Sequence, residues 1–195
     1  ERLLKVCIKS EGLAEKGRFP SASVIQSAVS FSKNSDRPFA EVLLERLPHY
    51  ESVGEIIRRM AKMNEDKKRE SGCLDFDDLL VLWRQLLAES PIVKERLAKQ
   101  FQYILVDEFQ DTNVLQADIV SHLASHHSNL LVVGDDAQSI YSFRAANVRN
   151  ILDFEKRFQN ARTYRLEENY RSVPEILEVA NASIVHNEDR LDKTL

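Results

Sequence analysis

Glycine, proline and cysteine are scarce in this chain: five, five and two among 195 residues. So little Gly and Pro excludes a collagen-like or low-complexity chain and suits a helix-rich globule. Cys7 and Cys73 are too few for a disulfide framework or a four-cysteine zinc site. No apolar run approaches the roughly 18–20 residues of a membrane span, so no membrane partner is expected. The opening residues carry charges throughout, unlike a secretory leader, and the expected location is cytoplasmic. Excess positive charge is missing too: 27 Lys and Arg against 31 Asp and Glu leave a net charge of −4. That excludes a basic coat over the whole surface but allows a local basic groove. The length fits one domain or parts of two. Glu1-Arg2-Leu3-Leu4 reads as the interior of a helix without an initiating Met or a cap, and a piece of a longer chain is expected.

What is present divides near residue 100. The first part reads as helices. Ser21 or Ser23 can cap a segment bearing Val24, Ile25, Ala28, Val29 and Phe31. Ser52 to Lys68 carries Val53, Ile56, Ile57, Met60 and Met63 near helical spacing, then a charged Glu65–Glu70 run expected to be a solvated helix end. After Gly72, Asp75 can cap a helix whose first turn holds Asp77 and Asp78. Phe76, Leu79, Leu80, Trp83, Leu86 and Leu87 form its apolar stripe. From Phe101 the texture changes. The runs Tyr103–Val106, Leu130–Val133 and Thr163–Leu166 predict strands. Helices are predicted between them, from about Val114 to His127 and from Val148 to Phe158. This alternation predicts crossover units and a parallel sheet buried on both faces. Pro174 to Asn187 predicts a last helix.

In open parallel sheets, ligands sit at the carboxyl ends of strands. Asp107-Glu108 follows the first predicted strand in the manner of a Walker B element. The first carboxylate can hold magnesium and the second can orient and deprotonate a water; the pair also suits a solvated turn. In the adjoining Gln110-Asp111-Thr112-Asn113, any of the last three can cap the next helix. Gly134-Asp135-Asp136 ends the second strand and leads into a loop with Gln138, Tyr141, Phe143 and Arg144. Gln138 could reach a phosphate. Tyr141, Phe143 and Arg144 offer stacking surfaces and a cation for single-stranded nucleic acid, although aromatics beside a sheet also serve as core. Glu167-Glu168-Asn169-Tyr170-Arg171-Ser172 follows the third predicted strand. There Arg171 could stabilise charge on a transferred phosphoryl group, or pair with Glu167 or Glu168 at the surface.

Other signals carry less. Gly12 to Phe19 has glycines at P-loop spacing but neither the Lys-Ser/Thr ending nor a preceding strand. His122 and His126 could form a metal pair on one helical segment, but no third ligand accompanies them, and with His127 they read as surface residues. Asp75, Asp77 and Asp78 read as first-turn acids rather than a metal cluster.

Taken together, three stretches resemble motifs II, III and IV of superfamily 1 DNA helicases of the UvrD/Rep/PcrA family. They are Asp107-Glu-Phe-Gln-Asp-Thr-Asn113, Val133-Gly-Asp-Asp-Ala-Gln-Ser-Ile-Tyr-Ser-Phe-Arg144 and Leu166-Glu-Glu-Asn-Tyr-Arg-Ser172. Leu74-Asp-Phe-Asp-Asp-Leu-Leu80 is similar to the family's re-entry into its first motor domain. The resemblance implies an α/β fold: part of a RecA-like P-loop NTPase parallel sheet with a mainly helical accessory region. It divides the chain into an accessory insertion (1–72), the C-terminal part of the first motor domain (73–166), and motif IV with the start of the second (167–195). It implies ATP and Mg2+, with Asp107 assisting the metal, Glu108 activating water and Gln138 sensing the γ-phosphate. Tyr170 would lie against adenine, Arg171 would contact the γ-phosphate, and Tyr141, Phe143 and Arg144 would touch single-stranded DNA. Phe143 stands where the family commonly has Trp, and Ala145 where it commonly has Gly. If that position takes a positive φ, Ala145 is expected to be strained.

The resemblance implies a 3′-to-5′ DNA helicase acting on single strands and duplex junctions in repair or replication restart, with repair proteins as possible partners. No Gly-x-x-Gly-x-Gly-Lys-Thr loop occurs in the chain, so no ATPase or unwinding activity is expected of it alone. Three alternatives stand beside this reading. One is the helicase subunit of a recombination helicase–nuclease. Another is a non-catalytic relative that binds DNA or protein. The last is a metal-dependent nuclease built on Asp107, Glu108, Asp135 and Asp136, though it lacks the usual basic residue nearby.

Overall fold

A computed structural model describes residues 1–13, 19–187 and 190–191. Residues 14–18 of the Gly12–Phe19 stretch lie outside the described residues, as do 188–189 and 192–195 of the 167–195 segment. The first part is helical: α1 (Arg2–Ser10), α2 (Ala22–Ser35), α3 (Phe39–Arg46) and α4 (Gly54–Glu70), with a 3-10 turn at Pro48–Val53. Ser21 caps α2 by accepting from the Val24 N–H, and Asp36 ends it in the left-handed conformation at φ +54°. The apolar faces of these helices meet around Leu4, Cys7, Ile25, Leu43, Ile57 and Met60. Fully burying each such side chain stabilises by about 1.5–3 kcal/mol before entropy is counted.

The charged end of α4 departs from the solvated face expected of it. Lys68 is only 7% exposed. Its Nζ lies 2.9, 2.8 and 2.7 Å from carboxylate oxygens of Glu65, Asp75 and Asp78. Those carboxylates lie within 4.8 Å of one another, close enough to suggest a metal site, but an ammonium already takes the shared position. Lys33 of α2 adds a second cation, 2.6 Å from Asp78. Burial works against the charge on Asp78. The Asp75 N–H and the ammonium groups of Lys33 and Lys68 outweigh it and hold the carboxyl well below the usual range. Burial also opposes the charge on Lys68, and Asp75, Asp78 and Glu65 reverse that, holding it above the usual lysine range.

Helices α5 (Phe76–Glu89) and α6 (Pro91–Gln100) follow. Asp75 and Asp78 form a reciprocal capping box at the start of α5, so the first-turn acids serve the helix end as expected. The apolar stripe of α5 is split. Leu87 is buried with Leu80 against Ile119 and Leu123, while Phe76 is 88% exposed and Leu79, Trp83 and Leu86 are also uncovered. The helix packs along one edge of its apolar face, and the stripe is wider than that contact.

Strands β1 (Ile104–Val106) and β2 (Leu130–Val132) pair in parallel, with Ile104 opposite Leu130, across a connection containing α7 (Val114–Ala124). Asn113 and Gln116 cap α7 reciprocally. The helix stops before His127 because the Ala124 carbonyl accepts from the Ser128 N–H, Ser128 being left-handed at φ +56°. The sheet is covered on one face rather than both. Ile104 packs toward α7, while Leu105 and Leu131 are 72% and 53% exposed.

Three further expectations are corrected. The single helix from Val148 to Phe158 is two short ones, α8 (Arg149–Leu152) and α9 (Phe154–Arg157), broken at Asp153. Beyond the break, Phe154 meets Phe109 edge-on at 5.7 Å and Phe158 at 4.7 Å. Thr163–Leu166 forms no strand. Among the described residues no neighbouring strand offers it a ladder, and Tyr164 and Leu166 are exposed. The last helix, α10 (Pro174–Ile184), starts at Pro174 and stops short of Asn187. Among the described residues no helix is long and apolar enough to cross a membrane.

Candidate phosphate and nucleic-acid site

The ends of β1 and β2 lie side by side, and the chain leaves both with its acids at the same rim. The Val133 N–H donates to the Val106 carbonyl at 2.8 Å, and the Phe109 N–H donates to the Val133 carbonyl at 2.9 Å. Between those two bonds sit Asp107 and Glu108. Glu108 takes a left-handed conformation at φ +50°, which costs a non-glycine residue about 1–2 kcal/mol. This twist returns the Phe109 N–H to the ladder while leaving both acidic side chains outside.

Asp107 is exposed, and one of its carboxylate oxygens accepts from the Glu108 N–H at 2.9 Å. No other hydrogen bond or ion pair engages it among the described residues. Such a carboxylate fits Mg2+, which keeps most of its waters and needs only one or two protein oxygens beside phosphate.

A chain of hydrogen bonds joins the two strand ends. Gln110, only 1% exposed, donates from Nε2 to Glu108 Oε2 at 2.8 Å. Its Oε1 accepts from the Asp135 N–H at 3.0 Å. The Asp135 carboxylate accepts from the Ala137 N–H at 3.0 Å and from Gln138 Nε2 at 2.8 Å. Gly134 makes room for this linkage. A Cβ there would lie 2.5 Å from Gln110 Oε1 and 2.8 Å from Ile151 Cδ1. Glu108 and Gln138 are thus brought together through residues between them.

The loop after Gln138 presents the aromatic group. Tyr141 is half-buried, whereas Phe143 is 61% exposed, which sets Phe143 apart from the core. Their rings lie 5.9 Å apart, and the Arg144 guanidinium is 5.8 Å from the Tyr141 ring. Arg46 of α3 packs over Phe31 at 3.9 Å and donates to the Phe143 carbonyl at 3.4 Å. Phe143 and Arg144 border a cavity of about 410 Å³ whose other wall is α2, with Ser30, Phe31 and Asn34. Ala145 is 5% exposed and left-handed at φ +67°, so the strain expected of it is present.

Tyr170 and Arg171 stand apart. No hydrogen bond or ion pair joins either to Glu108 or Gln138 among the described residues. Tyr170 is 86% exposed, and the Glu168 carboxylate beside its hydroxyl raises the phenol above its usual range. The Arg171 and Ser172 N–H groups both donate to Asn169 Oδ1 at 2.9 Å, which fixes the turn carrying them. His127 serves the backbone around it. Its Nδ1 accepts from the Asn129 N–H at 2.9 Å, and its Nε2 meets the Phe101 carbonyl at 2.8 Å.

Gln110 is the residue sequence reasoning passed over. Its signal was a polar residue between strand-end acids and a helix cap, facing a glycine that ends the next strand.

Residues 2–159 match the UvrD/REP helicase N-terminal domain. The chain is 44% identical over 165 residues to the ATP-dependent DNA helicase PcrA of Leuconostoc citreum, covering 85% of the chain and 20% of that protein. It is 38% identical over 197 residues to the ATP-dependent DNA helicase PcrA of Staphylococcus aureus strain Mu50, covering 99% of the chain and 26% of that protein. The chain therefore spans between 20% and 26% of the length of these curated relatives.

Proposed function

Because this chain belongs to the UvrD/REP helicase family, we propose that it supplies part of the ATP-hydrolysing and DNA-contacting surface of a 3′-to-5′ DNA helicase. One observation carries the reading. The parallel strand ends bring Asp107 and Glu108 beside Asp135 and Gln138, and the same segment continues directly into exposed Phe143 and Arg144. In this proposal the sheet is part of a RecA-like motor domain spanning 73–166, with 1–72 as its accessory insertion and 167–195 leading into a second motor domain.

Each side chain then has its own role. Asp107 holds Mg2+, which when bound supplies charge neutralisation on the phosphates. Glu108 orients a water and takes its proton as the oxygen attacks the γ-phosphorus. The bond to the bridging oxygen breaks and ADP leaves. Gln138 contacts the γ-phosphate, and Arg171 stabilises charge spread over the transferred group. Tyr170 packs against the adenine. Tyr141, Phe143 and Arg144 grip single-stranded DNA by stacking and by pairing with its backbone. The substrates are single strands and duplex junctions, in repair or replication restart, in the cytoplasm. The chain alone, without a phosphate-cradling loop of the Gly-Lys-Thr type, holds too little of the site to turn ATP over.

Strand displacement by the full native protein tests the reading. With ATP and Mg2+, a duplex with a 3′ single-stranded tail should be unwound and one with a 5′ tail left intact. Absence of DNA-stimulated ATP turnover would contradict the proposal, and unwinding from the 5′ tail would contradict its direction.

A further inference from the structure

Gln110 is a fully buried amide that spends both ends of its side chain on the hydrolytic rim. Its N–H donates to the Glu108 carboxylate at 2.8 Å, and its carbonyl oxygen accepts from the Asp135 backbone at 3.0 Å. A fold that needed only to fill this space would use an apolar side chain, since a buried amide costs free energy unless both ends are satisfied. The surroundings are built for this group. Gly134 leaves room for the amide oxygen where a methyl would stand 2.5 Å from it. The Gln110 backbone carbonyl lies 3.4 Å from the Ser139 hydroxyl, just beyond Gln138. Glu108 sits on left-handed backbone at φ +50°. Its carboxylate would otherwise be an exposed, freely rotating group.

We propose that Gln110 is a positioning residue for ATP hydrolysis, fixing the Glu108 carboxylate in register with the Asp135–Gln138 turn. The proposal rests on the reading of Glu108 as the group that activates water. With one carboxylate oxygen held by the Gln110 amide, the other is left at a defined place for the water. Asp135, whose N–H anchors the far end of the amide, itself holds the Gln138 side chain at 2.8 Å. A displacement of the γ-phosphate glutamine therefore reaches the water-activating glutamate through two rigid, planar groups. Gln110 touches no reacting atom, and its effect is on geometry.

The test uses the full native protein and single-stranded DNA, comparing Gln110→Met, Gln110→Asn and Glu108→Gln. Methionine keeps the volume and removes both hydrogen bonds. Asparagine keeps the amide but is one methylene too short to span Glu108 and Asp135. Sites are counted by titration with a fluorescent ATP analogue, so that kcat refers to folded molecules even if one variant folds poorly. Supporting groups around catalytic ligands are worth roughly ten- to hundredfold in activity. A kcat lowered by that factor in either substitution at 110, with the KM for ATP within about twofold of wild type, is the expected result. A merely structural role would reduce the number of sites and leave kcat per site unchanged. That outcome, with Glu108→Gln inactive, overturns the proposal for Gln110 alone. If Glu108→Gln turns over ATP normally, the reading of Glu108 fails, and the Gln110 proposal fails with it.

Discussion

Asn113, the residue that caps α7 after the strand-end acids, donates its side-chain amide to Asn34 Oδ1 at 2.7 Å, 79 positions earlier in the chain. Asn34 in turn donates to Asp77 at 2.7 Å, so a buried polar thread runs from the helical region to the segment bearing Asp107 and Glu108. Both asparagines are under 10% exposed, where a lost partner leaves a buried donor or acceptor unpaired at about 1–3 kcal/mol. Asn34→Ala is expected to destabilise by that amount, and Asn113→Ala by a further contribution of about 1 kcal/mol from the lost cap. Because they share one bond, the double variant should lose less than the sum of the two, by at least about 0.5 kcal/mol. Urea unfolding of the four proteins checks this; strict additivity would deny the link.

Ala145→Gly should stabilise the protein. Relief of a left-handed alanine is worth about 1–2 kcal/mol, and the added freedom of glycine in the unfolded chain takes back about 0.5–1 kcal/mol. At mid-range the relief exceeds the loss, leaving a gain of about 0.5–1 kcal/mol. For a chain this long that raises Tm by about 1–4 °C in a thermal melt.

The Lys68 cluster sets a pH signature. Asp78 has its folded pKa depressed, so it contributes stability above its unfolded value of about 3.9 and loses that contribution as pH falls through the folded value. Lys68 has its folded pKa raised. Its contribution is complete below about 10.4 and is lost as pH rises through the folded value. Wild type should therefore lose stability below about pH 4 more steeply than Asp78→Asn. Lys68→Met leaves Asp75 without its cation and Glu65 and Asp78 with Lys33 alone, and should destabilise at neutral pH by less than the about 3–5 kcal/mol of a fully orphaned buried pair. Denaturant midpoints measured across pH read both effects.

Phe143→Ala should weaken single-stranded DNA binding by about 1–3 kcal/mol if its ring stacks on a base. Its ring is 61% exposed, so the thermal midpoint should barely move. Fluorescence anisotropy with a labelled oligonucleotide, paired with a melt, separates the two. Unchanged affinity would return Phe143 to a packing role.

Much of the site was legible because its signals are local. The apolar runs ending in Asp107 and in Gly134-Asp135 place acids at strand ends, Asp75 reads directly as a cap, and Asn113 is one of three neighbouring residues able to cap the next helix. What was not legible depends on partners far along the chain. Lys68 sits in a charged run like any solvated helix end, and only Asp75 and Asp78 folding back onto it make burial tolerable. The stripe on α5 announces an apolar face but cannot say that Phe76 and Trp83 lie uncovered. Thr163–Leu166 has strand composition, yet a strand exists only where another pairs with it. Gln110 is hidden for the same reason, its meaning lying in Glu108 on one side and the Asp135 backbone on the other.

The proposed chemistry turns on Glu108 activating the water that cleaves ATP. Its most direct measurement is DNA-stimulated ATP turnover of the full native protein carrying Glu108→Gln, beside the affinity of the same variant for ATP. Turnover should fall by roughly a hundredfold or more, the scale of a positioned general base, with ATP affinity kept. Turnover equal to wild type at unchanged affinity would contradict it.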